Sequence, residues 1–149
     1  MSGRIAAICL TLLLFLALLG QTVRWRHRMG ASRLLRQVEV LSMAAAAAGQ
    51  AQPRLMAANL EMLRQAAPLD PAEVGIPIAR GTQYLFLARP EAALRSYEEA
   101  LALEPRPEAY LNLGRAQWLA GRREEARRSF ELAVRLSPQL AGEIPQSAR

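Results

Sequence analysis

Two stretches decide the fold: GTQYLFLARPEAALRSYEEALALEP, from Gly81 to Pro105, and GRAQWLAGRREEARRSFELAVRLSP, from Gly114 to Pro138. A shift of 33 residues lays one on the other, Gly81 on Gly114, Arg89 on Arg122, Glu91 on Glu124, Ala93 on Ala126 and Tyr97 on Phe130. The match continues with Glu98 on Glu131, Ala100 on Ala133, Leu103 on Leu136 and Pro105 on Pro138. A unit this short cannot bury its own apolar face, so units stack and each covers the next. In the second unit Pro107 opens a helix that runs to about Ala120, Gly121 turns the chain, and Arg123 to Leu136 makes a second helix that Pro138 ends. Gly114, Ala126 and Ala133 let antiparallel helices approach closely, while Tyr110, Leu113, Phe130 and Leu136 are expected to fill the space between them. The fold class is all-α, a short α-solenoid of helix-turn-helix repeats behind an N-terminal transmembrane helix.

Upstream, a shift of 34 places Asn59, Leu63, Ala66, Leu69 and Pro71 on Ala93, Tyr97, Ala100, Leu103 and Pro105. This suggests a further unit, with a first helix from Ser32 to Ala48 and a second from Arg54 to Ala67. A plain helical hairpin joining the solenoid to its anchor fits the same residues, and the alanine run Ala44 to Ala48 has little bulk to pack. At the other end, Arg127 and Arg135 stand where the preceding unit has Leu94 and Ala102, as a terminal cap facing water requires. The expected arrangement is a transmembrane anchor at 1–23, an arginine-rich juxtamembrane segment at 24–36, and a hairpin or degenerate repeat at 37–72. Repeats at 73–106 and 107–140 and a flexible tail at 141–149 complete it.

From Ile5 to Val23 run nineteen residues without a formal charge. At ~1.5 Å per residue they make roughly 28 Å of helix, close to the ~30 Å hydrocarbon thickness of a bilayer. A cleaved signal peptide fits less well, because Arg4 is the only basic side chain ahead of the run and Leu18 stands where a small residue is wanted before a cut after Gly20. Trp25 suits the headgroup layer, and Arg24, Arg26 and Arg28 suit lipid phosphates, so these four residues form the expected membrane interface. Arg33 and Arg36 follow, and no acid appears before Glu39. The arginine excess after the span predicts a cytoplasmic C-terminal domain on a bacterial inner membrane; the periplasmic orientation is the alternative.

Composition removes several classes of function. The single cysteine cannot form an intrachain disulfide, and one cysteine with one histidine cannot supply a structural zinc site. Asp70 is the only aspartate, and the glutamates mostly alternate with arginines along helix faces, as in Glu91 with Arg95 and Glu124 with Arg128. With no phosphate loop and no plausible triad, neither catalysis, nor a cofactor, nor a metal is expected.

The second unit resembles the tetratricopeptide repeat family, whose Trp-x2-Leu-Gly-x2-Tyr, Ala-x3-Phe and Pro pattern appears as Tyr110-x2-Leu113-Gly114-x2-Gln117, Ala126-x3-Phe130 and Pro138. The first unit resembles it through Gly81, Tyr84, Ala93, Tyr97, Ala100 and Pro105, with Ala133 closing the set in the second. It departs at Pro77 and Arg80, where an aromatic residue and a leucine are usual; Pro77 in a first turn makes that helix short, beginning near Ile76. The resemblance implies a concave groove for a peptide or partner protein, lined by Ile78, Thr82, Leu85 and Phe86 of the first unit and by Glu108, Leu111, Asn112, Arg115 and Trp118 of the second. Core packing is the competing role for Phe86 and Trp118. The family's lysine and asparagine clamp for a terminal carboxylate is not expected, because the chain has no lysine.

These observations point to a membrane-anchored adaptor or scaffold whose partner is another protein or peptide. One alternative is an accessory or assembly subunit of a membrane complex. Another is a lipid- or nucleic-acid-binding module centred on Arg24 to Arg36. Anionic headgroups are candidates for the arginines; a nucleic-acid or small-molecule partner is not expected.

Overall fold

The computed structural model describes residues 2–47, 49 and 52–148, with side chains from Ile8 and from Leu10 onward. Helices α1 (Ser2–Ala47), α2 (Pro53–Ala66), α3 (Gly75–Phe86), α4 (Pro90–Leu103), α5 (Pro107–Leu119) and α6 (Arg123–Leu136) follow in order, and 3-10 turns at Pro138–Glu143 and Gln146–Ala148 close the chain. Proline opens α2, α4 and α5, where its missing N–H removes a donor that has no helical acceptor anyway. In α3 Pro77 lies within the first turn and is buried.

The 46 residues of α1 form one helix of about 69 Å at the α-helical rise. Its C-terminal part packs by one face, through Ala31, Leu35, Val38 and Ala45. Ala31, Leu35 and Val38 meet Leu63 and Ala66 of α2 and Ile76 of α3, so α1, α2 and α3 share a core. Upstream the helix is bare: Leu13 is 64% exposed and Leu16 62%. Among the described residues no helix is long and apolar enough to cross a membrane, and Ile5, Ala6, Ala7 and Cys9 of the expected span lie outside the described side chains.

The two clear repeats are built alike. A β-carbon on Gly81 would lie 2.6 Å from the Tyr97 ring, and one on Gly114 would lie 2.6 Å from the Phe130 ring. Each glycine therefore lets an aromatic side chain of the second helix lie flat against the backbone of the first. The turns also correspond. Arg89 N–H donates to Tyr84 O (2.8 Å) in one unit and Arg122 N–H to Gln117 O (2.9 Å) in the other. The left-handed residue is Gly121 at φ +80° in the second turn and Ala88 at φ +52° in the first.

Three expectations need correction. Leu136 is 53% exposed and does not fill the inter-helical space, because it lies at the last turn of α6, beyond the reach of α5. The segment 141–149, expected as a flexible tail, is folded over its described length: Ala148 is 5% exposed and packs with Phe130 and Leu111, beside Leu140 and Ile144. The acids seek partners beyond the same-helix residue four places on. Glu91 pairs with Arg122 of the next unit at 2.9 Å, and Glu124 pairs with Arg127 at 3.2 Å.

Candidate partner-binding groove

The open face of the stack is formed where α1 crosses α3. Val38, Glu39, Ser42 and Met43 of α1 face Gly75, Ile78, Ala79, Thr82 and Gln83 of α3 across a cavity of about 330 Å³, with Arg106 and Glu108 at its far edge. Its walls are apolar, through Val38, Met43, Ile78 and Ala79. Its floor is polar. Ser42 Oγ donates to Val38 O at 2.7 Å and accepts from Asn59 Nδ2 at 3.2 Å and Gln83 Nε2 at 3.0 Å. Asn59 Nδ2 also donates to Gln83 Oε1 at 3.1 Å. Asn59 is wholly buried and its Oδ1 has no hydrogen-bond partner among the described residues.

The rim is acidic. Glu39 and Glu108 line it, and Arg106, the cation among its described residues, is held by Glu104 at 2.9 Å. That hydrogen bond chiefly, with Glu73 and Glu108 adding to it, raises the Arg106 pKa above the ordinary guanidinium value.

The groove positions implied by the sequence are not brought together in one surface. Ile78, Thr82 and Glu108 line the cavity. Thr82 Oγ1 donates to Ile78 O at 3.1 Å and lies 3.3 Å from the Tyr97 hydroxyl. Burial pushes the Tyr97 phenol up to about 12, against the opposing influence of Thr82 and Arg115. Leu85 is half-buried against the Ala93, Leu94 and Tyr97 core, whereas Phe86 is 40% exposed. Leu111 is a correction: it is 2% exposed and belongs to the core with Ala126 and Phe130. Asn112 accepts from Arg115 Nη1 at 2.9 Å, and Arg115 Nη2 donates to Glu143 O at 3.0 Å and Glu143 Oε2 at 3.2 Å. Trp118 packs in the Leu111 cluster, with the Arg123 guanidinium 4.2 Å from its ring centroid. Leu111 and Trp118 share a cluster with Leu140, Ile144 and Ala148, and Arg115 holds Glu143, so the C-terminal segment lies over this part of α5.

Sequence reasoning missed Val38, Glu39, Ser42 and Met43 because the upstream segment at 37–72 departs from the repeat pattern and offers no marker for its register. Arg106 carried a signal, its place just before Pro107 at the junction of two units. Arg80, an anomaly in the sequence, is explained by geometry: its Nε donates to Ser96 Oγ at 3.2 Å and its guanidinium pairs with Glu99.

At the expected membrane interface, Arg24, Trp25, Arg26 and Arg28 are exposed, Trp25 by 64%. Arg28 approaches Asp70 of the α2–α3 loop at 3.8 Å. Among the described residues no three His, Cys, Asp or Glu side chains cluster so as to hold a metal ion.

A comparison of the sequence with protein families decides between a generic helical stack and a defined repeat. Residues 78–141 match the tetratricopeptide repeat family. The tetratricopeptide fold extends further among solved structures. The second tetratricopeptide domain of human RPAP3, in complex with an HSP70 peptide, is 20% identical with a TM-score of 0.59, over 72% of this chain and 87% of that one. The Arabidopsis OM64 tetratricopeptide domain is 20% identical with a TM-score of 0.65, over 82% and 90% of the two chains. TTC0263, a tetratricopeptide protein of Thermus thermophilus, is 28% identical with a TM-score of 0.54, over 56% of this chain and 43% of that one. Among curated proteins no match is found.

Proposed function

We propose that this chain is a membrane-tethered tetratricopeptide adaptor that holds a segment of another protein between α1 and α3. The observation that carries the reading is the cavity of about 330 Å³, with apolar walls, a polar floor and an acidic rim, on the open face of a tetratricopeptide stack. The rim also selects. Glu39 and Glu108 favour a segment that pairs aliphatic side chains with a cation, whereas the peptide sequence SGPTIEEVD bound by the human neighbour is acidic. No catalytic role is proposed, since Arg106, Arg115 and Arg122 are each held in an ion pair by a glutamate.

Tethering is supported by the bare stretch of α1, where Leu10, Leu12, Leu13, Leu14, Phe15, Leu16 and Leu18 are each more than half exposed. A contiguous apolar surface of that extent is rare on a water-facing helix and marks an interaction surface. Trp25 and the arginines that follow fit a headgroup layer, and their excess favours an orientation with the repeats in the cytoplasm. A tether raises local concentration, so a shallow groove suffices for useful occupancy.

The test is a mild-detergent pull-down with the full-length protein, the pair Met43→Glu with Glu108→Lys, and a variant lacking residues 1–23. Met43 is 71% exposed, so the pair leaves the core intact. The expected result is a partner lost with the pair, at unchanged circular dichroism, and kept without residues 1–23. A partner that survives the groove pair and needs residues 1–23 makes the chain a subunit of a membrane complex and overturns the adaptor reading.

A further inference from the structure

A second seat lies at the C-terminal end of the stack, and the repeat register identifies it. Leu94, Tyr97 and Leu101 of α4 pack in one cluster with Leu113 and Ala116 of α5. Thirty-three residues on, their counterparts are Arg127, Phe130 and Val134 of α6. These line an open cavity of about 620 Å³. The end face of α6 is thus shaped like the place where a first helix of a following unit sits, and no helix sits there among the described residues.

What sits there is the tail. Its two 3-10 turns bring Leu140, Ile144 and Ala148 against Phe130 and Leu111, and Glu143 gives both its backbone carbonyl and a carboxylate oxygen to Arg115. A 3-10 turn stacks its side chains along a narrow line and cannot cover a helix-wide seat. The cavity beside Ile144 is the part left over. The rim is net basic: Arg127 and Arg135 replace the Leu94 and Ala102 of the preceding unit and line the cavity with one acid, Glu131, while Glu124 answers Arg127 and Arg135 pairs with no described residue.

We propose that this end face is a docking site for a partner segment bearing a carboxylate flanked by aliphatic side chains, and that residues 138–148 occupy it as a tethered ligand which the partner displaces. The tail supplies that pattern itself, Leu140, Glu143 and Ile144, so it shows which chemistry the seat accepts. Only Ser137 separates the tail from α6, and so short a link gives it an effective concentration on the order of millimolar. Its hold is correspondingly modest in kind. The Arg115 and Glu143 side chains are 34% and 56% exposed, which leaves their ion pair screened by solvent. The site differs in place and in charge preference from the groove between α1 and α3, and the inference rests on neither that groove nor a membrane.

The experiment uses the full chain and, as probe, a fluorescein-labelled peptide of residues 138–149, followed by anisotropy. The double variant Glu143→Ala with Ile144→Ala weakens the tethered copy while leaving the seat whole. It should bind the peptide roughly tenfold or more tightly than the unaltered chain, because the internal competitor is gone. Adding Arg115→Ala should remove that gain. A charge exchange guards against a folding defect: the chain with Arg115→Glu should bind a peptide with Glu143→Arg better than the original peptide. Equal binding by the unaltered and double-variant chains, or indifference of the peptide to either Arg115 substitution, overturns the proposal.

Discussion

Gly114→Ala tests the close approach on which the second repeat depends. A β-carbon there lies 2.6 Å from Cδ1 and Cε1 of Phe130 and 3.1 Å from its Cζ, against an ordinary contact of at least 3.4 Å. The ring must retreat by nearly an ångström, and it has little room, since Phe130 is 3% exposed and packed among Leu111, Ala126 and Ala133. Overpacking of this kind costs about 1–3 kcal/mol. Alanine returns about 1 kcal/mol through its better helix propensity. The net expectation is a loss of up to about 2 kcal/mol, read as a shift in the urea midpoint with unchanged slope. The companion Phe130→Leu removes the clashing ring edge and costs about 1 kcal/mol alone by its smaller volume. Combined, the two should cost about 1 kcal/mol less than their sum, because the methyl group occupies space the ring has left. A net stabilisation by Gly114→Ala, or strict additivity with Phe130→Leu, refutes the close approach. A loss that appears only with Phe130 in place ties stability to this one contact.

Three other outcomes follow from the same geometry. Ala88 holds φ +52° where the second unit has Gly121, so Ala88→Gly should stabilise by up to about 1 kcal/mol in thermal unfolding, unlike most glycine substitutions near a helix. Ser42→Ala removes the acceptor shared by Asn59 and Gln83 and should cost about 1–2 kcal/mol of unfolding free energy, with weaker partner capture, because the groove floor is that network. Tyr97 is an acid whose pKa is raised by burial to about 12 from 10.0. The unfolded chain releases that proton first, so the stability it contributes is whole below pH 10 and falls by up to about 3 kcal/mol between pH 10 and 12. Tyr97→Phe should flatten that stretch of the stability profile, and a 295 nm titration should lose its latest phase; an unchanged profile removes the buried phenol as its cause.

Much of the fold is legible because the same small residues recur at the same spacing for the same reason. Gly81 and Gly114 announce where two helices touch, Tyr97 and Phe130 announce what fills the contact, and Pro107 marks a helix start. The upstream hairpin at 37–72 is harder to read. Its helices are joined to the others by Ser42, Asn59 and Gln83, a polar knot with no periodic signature, in place of the small residue and aromatic pair used further on. Of the positions named from the resemblance, those that line the cavity between α1 and α3 or its edge are Ile78, Thr82 and Glu108. Ile78 and Thr82 face α1 and remain in the groove, whereas Leu111 and Arg115 stand at the end of the stack and meet the tail. Local periodicity says that Leu111 points off α5, and it is silent on what lies there, because Ile144 and Ala148 arrive through 3-10 turns whose spacing matches neither a helix nor a strand.

The two faces share one helix. Glu108 at the groove rim and Arg115 at the end seat both lie on α5, seven residues or about 10 Å apart along it, and Tyr97 meets Thr82 within the first repeat while the Arg115 charge acts on its phenol. Withdrawal of Glu143 frees the Arg115 guanidinium beside that phenol without altering the polar floor, which belongs to α1, α2 and α3. On the proposed reading, a partner on the end seat changes charge near the groove while leaving its shape. On that reading the first repeat, joined to α1 by the Ser42 network, is the fixed jaw of the adaptor, and the second, covered at its end by residues 138–148, is the jaw that exchanges occupants.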